Sequence, residues 1–476
     1  MIMKTVASLK LTVVLLTVNL VASVVSFNIY TNYQQVHAQG IESTGNIKDN
    51  SIVFTKPINL TNNTRDSVYA QVASYGKNVF VVWQENNPDS FGENSKYTDN
   101  INYNYRNYDI YIKKSVDGGL TFSKEINLSN NPGFSEHPQI AISGNNVYVV
   151  WIDDTLSPST STTSSTTVTA TKNKEILFRK SIDGGNTFDK VINLSNSNNA
   201  DSYNQEIAAT EKNVYVVWQD TAIPTADYDS RGDINADSNS DRSSISSQKN
   251  SSIVFRASTD DGNSFKRIKS LSNTAFKSYP KIAAFENSTY VVWNVGIIGD
   301  TNNNNISNGI FFMKSLDSGN SFSDTIKLNG NWDSIGESQI SAYENNIYIV
   351  WGGNPDEKTV GNMFFVKSAD NGNKFSKAVS LTSDEKNSLN VEVIADGNNN
   401  VYVAWQALLL DDNEEILIKK SSDNGATFTN TSENISRNQG ISECTSIAVS
   451  DDNNNVYLVW EDDTTGNHEI LFAKRI

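Results

Sequence analysis

Acidic side chains recur at matching places along the chain, beside short apolar runs. One set follows runs that end in tryptophan and consists of Glu85, Asp153, Asp220, Glu461 and Asp462. A second set precedes other apolar runs and consists of Asp109, Glu175, Glu415 and Glu469. Two carboxylates about 5 to 9 Å apart could hydrolyse a glycosidic bond. Because these acids recur from unit to unit, we expect them to serve structure or solvation rather than one active centre.

A further acidic segment could bind a cation. The sequence DYDSRGDINADSNSD contains Asp227, Asp229, Asp233 and Asp237, and spaced carboxylates suit a hard cation such as calcium. The segment does not match the glycine and terminal glutamate of calcium loops, and a solvated acidic loop is the alternative. We therefore expect no obligatory cofactor, with calcium as the metal that these residues would favour.

Several other kinds of site are disfavoured. The histidines are His37, His137 and His468, whose separation argues against a zinc site or a catalytic triad. Cys444 is the single cysteine, so no intrachain disulfide can form, and we expect a small buried residue there. The formal charge of −16 disfavours nucleic acid and anionic membranes as partners.

Two repeated signatures indicate the elements that position these residues. Six octapeptides such as SIDGGNTF follow alternating apolar runs. Seven runs of the VYVVW type end at Trp83, Trp151, Trp218, Trp293, Trp351, Trp405 and Trp460. Each unit reads as four short strands, A to D, joined by polar turns, and such repetition is typical of a β-propeller. The sequence predicts an all-β fold of seven four-stranded antiparallel blades.

The two ends of the propeller are expected to build one blade together. The last unit stops after strand C, whereas the segment at residues 53–63 matches a strand D that no unit precedes. The simplest closure places residues 53–63 beside residues 470–476, which leaves no open sheet edge there. The expected organisation is a linker at residues 39–52 and one propeller domain at residues 53–476.

Residues 1–38 predict export. Lys4 and Lys10 precede an apolar run from Leu11 to Phe27, and a small-residue cleavage site ends at Ala38. An uncleaved membrane anchor is the alternative to a signal peptide, and Asn-x-Ser/Thr sequons permit glycosylation. We expect a secreted or cell-surface protein that meets a membrane only through such an anchor.

The octapeptide resembles the Asp-box, or BNR repeat, of the sialidase-like β-propellers. Its pattern is Ser-x-Asp-x-Gly-x-Thr-Phe, and its copies span the propeller region. The glycine supplies a positive φ, and the terminal aromatic is expected to pack back onto its own blade. The resemblance implies that the box aspartates are structural and face away from the binding site. They are Asp117, Asp183, Asp260, Asp317, Asp370 and Asp423.

The resemblance does not extend to the catalytic residues of sialidases. Those enzymes hold a carboxylate with three arginines, carry a Phe/Tyr-Arg-Ile-Pro motif and close with six blades. The motif is missing from this chain, and Arg179, Arg256 and Arg475 lie in strand segments away from a central pocket. We therefore assign no catalytic residue.

Variation between the units falls in the loops that join strands B and C. The longest are near residues 86–108, 154–174 and 221–250, and the first carries Tyr97, Tyr103, Tyr105 and Tyr108. Loops on a rigid scaffold commonly carry function, so we expect non-catalytic binding of a glycan or a cell-surface protein. The alternatives are an exo-acting glycoside hydrolase of the exo-α-sialidase type and a purely structural envelope component.

Overall fold

The structure is a computed structural model. It describes residues 52–86, 107–155, 173–197, 200–221, 251–274, 279–295, 309–330, 334–354, 361–382, 386–409, 413–451 and 455–476. The predicted export segment at residues 1–38 and all but the last residue of the expected linker lie outside these stretches. Within them, no helix is long and apolar enough to cross a bilayer.

Each unit forms one antiparallel sheet in which strand A pairs with B, B with C and C with D. Seven such four-stranded sheets are present, which confirms the predicted seven-bladed β-propeller. Strand A is β2 (Ser67–Tyr75), β6 (Ser135–Ser143), β10 (Ser202–Thr210), β14 (Lys281–Phe285), β18 (Ser334–Tyr343), β22 (Lys386–Ala395) and β26 (Ser442–Val449). Strand B is β3 (Asn78–Asn86), β7 (Asn146–Asp153), β11 (Asn213–Thr221), β15 (Ser288–Val295), β19 (Asn346–Asn354), β23 (Val401–Leu408) and β27 (Val456–Asp462).

The two outer strands of each blade differ in length. Strand C is β4 (Tyr108–Ser115), β8 (Glu175–Ser181), β12 (Ser251–Ser258), β16 (Gly309–Ser315), β20 (Asn362–Ser368), β24 (Glu414–Ser421) and β28 (Glu469–Lys474). Strand D is β5 (Ile126–Asn127), β9 (Ile192–Asn193), β13 (Lys269–Thr274), β17 (Ile326–Lys327), β21 (Val379–Ser380), β25 (Glu433–Asn434) and, for the seventh blade, β1 (Ile58–Asn59). Strand D is short in every blade except the third.

Strand B forms the core because both of its faces are covered by neighbouring blades. In β3 every residue from Val79 to Glu85 is buried. A strand buried on both sides reads as a continuous apolar run rather than an alternating one, which explains the VFVVW pattern. The seven strand-B tryptophans are each no more than 2% exposed, so the core repeats between all the blades.

The segment at residues 53–63 completes the seventh blade, as predicted. Its strand β1 pairs antiparallel with β28, next to β27 and β26. The backbone N–H of Leu60 extends this pairing by donating to the Ile470 carbonyl at 2.8 Å. The regular strand is shorter than the whole segment, since Pro57 has no amide hydrogen to donate.

Each octapeptide forms a hydrogen-bonded turn between strands C and D. In the second blade, Ser181 Oγ donates to Asp183 Oδ1 at 2.7 Å and accepts from the Gly185 N–H at 2.8 Å. Asp183 Oδ1 also accepts from the Thr187 N–H at 3.0 Å. The same serine–aspartate bond occurs at Asp117, Asp260, Asp317, Asp370 and Asp423. The turn is fastened to the A–B turn of its own blade by a bond from the Gly184 N–H to the Asn145 carbonyl, so both turns share one face.

The octapeptides also join neighbouring blades, which the repeat pattern did not predict. The terminal aromatic packs against an aromatic ring of the preceding blade as well as against side chains of its own blade. Phe265 of the third blade meets Phe178 of the second edge-on, with ring centroids 5.1 Å apart. The glycine lies equally close to the preceding blade, because a Cβ on Gly185 would be 2.6 Å from Phe80 Cε1. The motif therefore contributes to packing between blades as well as to its own turn.

The lowered pKa values of the octapeptide aspartates imply that the free energy of unfolding falls at low pH. Hydrogen bonds from Ser321 and Ser315 lower the pKa of Asp317 from 3.8 to about 2. A carboxylate with a depressed pKa in the folded state stabilises the fold above its unfolded pKa, and this contribution disappears as the pH falls through the folded value. We expect Asp317→Asn to lower the urea midpoint at neutral pH, and this difference from the parent chain to shrink between about pH 4 and pH 2.

The matched control is Asp324→Asn in the same blade. Asp324 is exposed, and its carboxylate accepts no hydrogen bond among the described residues, so this change should hardly alter the midpoint at any pH. Urea titrations of the three chains at several pH values provide the measurement. An Asp317→Asn deficit that stays constant down to pH 2 would show that the charge of Asp317 does not stabilise the turn.

Candidate functional site

The acids at the strand ends are held by hydrogen bonds inside their own blades. Asp153 accepts from Ser135 Oγ at 2.8 Å and from the Trp151 indole at 2.9 Å. Glu175 accepts from the Ser197 N–H at 2.9 Å. Glu85, Asp220 and Asp462 likewise bind the first serine of strand A, whereas Asp109, Glu415 and Glu469 bind a hydroxyl beyond strand D. These carboxylates fasten strand ends within their own blades, and Glu85, Asp153 and Asp462 also accept from an asparagine side chain of the preceding blade.

The other positions singled out in the sequence lie elsewhere. Asp227, Asp229, Asp233 and Asp237 lie outside the described residues, as do Tyr97, Tyr103 and Tyr105. The guanidinium of Arg179 donates to the Leu128 carbonyl at 2.6 Å, so it links the second blade to the first. Arg256 links the third blade to the second in the same way, through the Leu194 carbonyl at 2.9 Å. These arginines bind backbone between blades.

A cavity of about 450 Å³ lies on the axis of the ring. Strand A, or the residues just before it, supplies the lining from all seven blades, so strand A is the innermost strand of each blade. We call this space the axial cavity. It is the candidate functional site, because ligand sites in proteins are concave and combine apolar surface with a few convergent polar groups.

A β-bulge near the start of strand A turns side chains toward the axial cavity. The pairing with strand B shifts by one residue in six of the seven blades. Bulges bend a strand and re-aim its side chains. In five blades a lining residue at the bulge has a left-handed φ: Tyr69 (55°), His137 (52°), Asn204 (54°), Asn390 (46°) and Cys444 (50°).

One polar position of strand A recurs around the axis, opposite the residue that precedes the strand-B tryptophan. We call its members the axial belt. They are Gln71, Gln139, Glu206, Lys281, Gln339, Glu392 and Ser446. Their side chains bind one another between blades.

Hydrogen bonds and one ion pair connect the axial belt. Gln139 Nε2 donates to Glu206 Oε1 at 3.2 Å, and Lys281 Nζ lies 2.5 Å from the same oxygen. Gln339 Nε2 donates to Glu392 Oε1 at 2.7 Å. Such a network holds the polar groups in fixed positions, so their free hydrogen-bonding capacity is pre-organised for a ligand.

The charges of the axial belt nearly cancel. Burial by itself would lower the pKa of Lys281, but the nearby Glu206, Glu337 and Glu392 outweigh burial and raise it. Lys281 therefore stays protonated and neutralises Glu206. Burial raises the pKa of Glu392 to about 8, so this carboxyl is mostly protonated at neutral pH.

His137 and Tyr69 form an aromatic part of the cavity wall. Their ring centroids are 4.3 Å apart, and the rings are tilted by 51°. Burial lowers the pKa of His137, so the imidazole is neutral at pH 7. The backbone N–H of His137 donates to Gln84 Oε1 at 2.6 Å, and this bond holds the bulge against the preceding blade.

The expectation that Cys444 is simply a small buried residue was wrong. Cys444 is only partly buried and lies at the bulge of β26, where it lines the axial cavity. Burial and the nearby Glu461 and Glu443 raise the pKa of its thiol. The group is therefore a protonated and weakly nucleophilic thiol at neutral pH.

The sequence contains a signal for the axial belt that the predictions above did not use. Each belt residue is the polar member of a pair whose second member is Ile or Val, as in Gln139-Ile140 and Glu392-Val393. A polar residue at the same place in every repeat indicates a shared environment, and the innermost strand of a closed ring provides one. The large variation among the B–C loops hid this regularity.

Comparisons with known proteins extend only to shape. No protein-family model matches the chain, and no curated protein matches it. A solved protein of unknown function from Dyadobacter fermentans has a TM-score of 0.49 and 12% identity, and the match covers 89% of this chain and 99% of that one. A Hadza microbial sialidase has a TM-score of 0.43 and 12% identity, and the match covers 86% of this chain and 65% of that one. Trypanosoma rangeli sialidase has a TM-score of 0.42 and 12% identity, and the match covers 89% of this chain and 59% of that one. This chain therefore spans less than two thirds of the length of either sialidase.

Proposed function

We propose that the chain is an exported propeller of the sialidase-like type that binds a neutral glycan in its axial cavity and does not cleave it. One observation carries this proposal: all seven blades direct residues, most of them polar, into a single cavity of about 450 Å³. Amides such as Gln71 and Gln139 offer both donors and acceptors to sugar hydroxyls. The ring of Tyr279 offers an apolar face with a polar tip.

The charge of the axial cavity supports a neutral sugar over an acidic one. Lys281 is the one lysine or arginine of the lining in the part of the chain that the structure describes, and it forms an ion pair with Glu206. Glu337 and Glu443 add carboxyl groups to the wall. A sugar acid such as sialic acid requires converging guanidinium groups, and no arginine belongs to this described lining.

The proposal predicts a loss of affinity when an aromatic ring is removed from the cavity. A glycan array with the purified chain, run with and without calcium, first identifies a bound sugar. We then expect Tyr279→Ala to weaken binding of that sugar roughly fivefold, because a stacked aromatic contributes on the order of 1 kcal/mol. Isothermal titration calorimetry measures the change.

Tyr75→Ala is the matched control. Tyr75 is 40% exposed and adjoins the A–B turn of the first blade, on the face opposite the B–C loops. Its removal should leave the affinity unchanged. Equal losses in the two variants would place the ligand outside the axial cavity, and a calcium requirement would direct attention to the segment around Asp227.

Glycoside hydrolysis is the second candidate function, and Glu392 is the observation that favours it. A carboxyl protonated at neutral pH is what a general acid requires, and Glu392 is such a group on the cavity wall. Incubation with fluorogenic sialosides and a panel of other glycosides tests this. Turnover that is abolished by Glu392→Gln would replace the binding proposal with an enzymatic one.

The proposal also places the protein outside the cytoplasm. Its support is the basic and then apolar pattern of residues 1–38. Cell fractionation followed by N-terminal sequencing distinguishes a cleaved signal from an uncleaved anchor. Full-length protein in the cytoplasm would contradict export.

A further inference from the structure

Three ligand-type side chains meet at one end of the seventh blade. Glu443 lies near the start of β26 and pairs directly with Glu461 near the end of β27. His468 immediately precedes β28. One nitrogen or oxygen atom from each side chain lies within 4.8 Å of the others, and His468 Nδ1 is 4.0 Å from Glu443 Oε1. We call these three residues the rim cluster, because Glu443 also lines the axial cavity.

In the second blade, the acid at the position equivalent to Glu443 forms an ion pair with a lysine. There the residue equivalent to Glu443 is Glu136, and the residue before strand C is Lys174. Lys174 Nζ lies 2.8 Å from Glu136 Oε2, so this carboxylate is neutralised by an ion pair. The position of Glu461 is occupied by Ile152, which pairs with Glu136.

The seventh blade replaces the lysine with a histidine and the isoleucine with a second carboxylate. Neither Glu443 nor Glu461 forms an ion pair with lysine or arginine among the described residues. Two carboxylates and an imidazole therefore share a site in which the second blade pairs one acid with one cation. An imidazole is a common metal ligand, whereas a lysine side chain is not.

The structural role of Glu461 does not explain why a carboxylic acid stands at this position. Glu461 Oε1 accepts the N–H of Tyr69 at 2.6 Å. In the first blade Gln84 stands at the same position, and its Oε1 accepts the N–H of His137 at the same distance. A glutamine amide thus makes this bond equally well. Glu461 is 3% exposed, so an ionisable carboxyl group is buried at a position where the packing alone does not need one.

The rim cluster has room and donors for an ion. His468 Nδ1 is buried and has no hydrogen-bond partner among the described residues. Ligand atoms about 2.1 Å from a tetrahedral ion lie roughly 3.4 Å apart, so binding would draw the three groups slightly together. The side chains of Glu443 and His468 are 30% and 36% exposed and can make that movement.

We propose that Glu443, Glu461 and His468 bind a divalent transition-metal ion of the zinc class at the rim of the axial cavity. An imidazole nitrogen with two carboxylate oxygens suits zinc and its neighbours, whereas calcium and magnesium prefer oxygen ligands alone. Three protein ligands leave coordination positions for water or for a ligand oxygen, as in zinc sites that are not purely structural. For His468, this proposal departs from the expectation that the separated histidines argue against a zinc site.

The test uses the full chain, stripped of metal with a chelator and titrated with Zn²⁺ by calorimetry. We expect His468→Ala and Glu461→Gln each to weaken zinc binding at least about tenfold, as loss of a ligand requires. Glu461→Gln keeps an acceptor for the Tyr69 N–H, so this variant should fold, and thermal unfolding in chelator checks both chains. Glu136→Gln, at the matching position of the second blade, should bind zinc like the parent.

Three other results of these experiments would contradict a zinc site at the rim cluster. A chain that does not bind zinc, or a His468→Ala chain that binds it as tightly as the parent, overturns the proposal. Substitution with Co²⁺ separates this site from one built on the neighbouring thiol, because thiolate–cobalt bonds give intense charge-transfer absorption. Such absorption, lost together with all binding in Cys444→Ser, would assign the metal to Cys444 instead. Glycan affinity is measured separately, so failure here leaves the proposed binding function intact.

Discussion

A chain that lacks residues 53–63 is expected to unfold at a far lower urea concentration than the full chain. The deletion exposes the outer edge of β28 and removes Leu60, which is 5% exposed. It also removes the Asn63 N–H that binds Glu469 at 3.1 Å. Loss of a buried leucine costs about 2 to 5 kcal/mol, and each lost hydrogen bond costs about 1 kcal/mol. We expect a total loss of at least about 5 kcal/mol, a large part of the stability of an ordinary domain.

Tryptophan fluorescence during urea titration measures this effect, since every strand-B tryptophan is buried. A point variant separates the side chain from the strand. Leu60→Ala should cost about 2 to 5 kcal/mol, whereas Leu120→Ala, at a side chain that is 69% exposed, should cost less than about 0.5 kcal/mol. An unchanged midpoint after the deletion would show that the ring does not depend on its N-terminal strand.

Gly185→Ala is expected to destabilise the chain by about 2 to 5 kcal/mol. The first contribution is backbone strain, since a φ of +74° costs a residue with a Cβ about 1 to 2 kcal/mol. The second is overpacking, because the new Cβ would lie 2.6 Å from Phe80 Cε1 and a forced shift in a packed core costs about 1 to 3 kcal/mol. The effect arises between two blades, so it should lower the unfolding midpoint of the whole ring.

The neighbouring glycine isolates the second contribution. Gly184 has a φ of +68°, and a Cβ there would meet nothing within 4 Å. Gly184→Ala should therefore cost only the strain of about 1 to 2 kcal/mol. Equal losses in the two variants, measured by the same urea titration, would mean that the octapeptide does not hold neighbouring blades together through this contact.

The propeller could be predicted because the same sequence pattern recurs in successive units of the chain. A single VYVVW run could belong to many folds, but seven of them, each bounded by Gly/Asn turns, require the same strand seven times. The segment at residues 53–63 resembles a strand D without its unit, and closure of the ring is the arrangement that gives it a partner. Packing between octapeptides and the preceding blade escaped prediction, because a local turn motif does not show what lies beside it.

The axial cavity could not be predicted from residue types, because it depends on the bulges of strand A. Asparagine tolerates a left-handed φ, which suits Asn204 and Asn390. Histidine shares this tolerance at His137, whereas Tyr69 and Cys444 adopt the same φ without any such preference, so tertiary packing imposes it there. Cysteine is commonly buried, and the bulge alone explains why Cys444 reaches the cavity.

The rim cluster was missed for a different reason. Glu461 was grouped with the other acids that follow a strand-B tryptophan, although those acids stand two residues after it and Glu461 stands one residue after it. That single step along a strand moves a side chain to the other face of the sheet. The register therefore separates Glu461 from the acids that bind strand ends.

The closing strand has a consequence for how the protein is made. The bond between Asn63 and Glu469 joins residues 406 positions apart. Ribosomes make the chain from its N-terminus, so residues 53–63 are made before β2 to β28 and remain unpaired until β28 is synthesised. Contacts of such long range form slowly, and an unpaired strand can meanwhile accept β28 from another copy of the chain. Synthesis at a high concentration of chains should therefore yield domain-swapped oligomers, linked through the seventh blade, as the characteristic misassembled product.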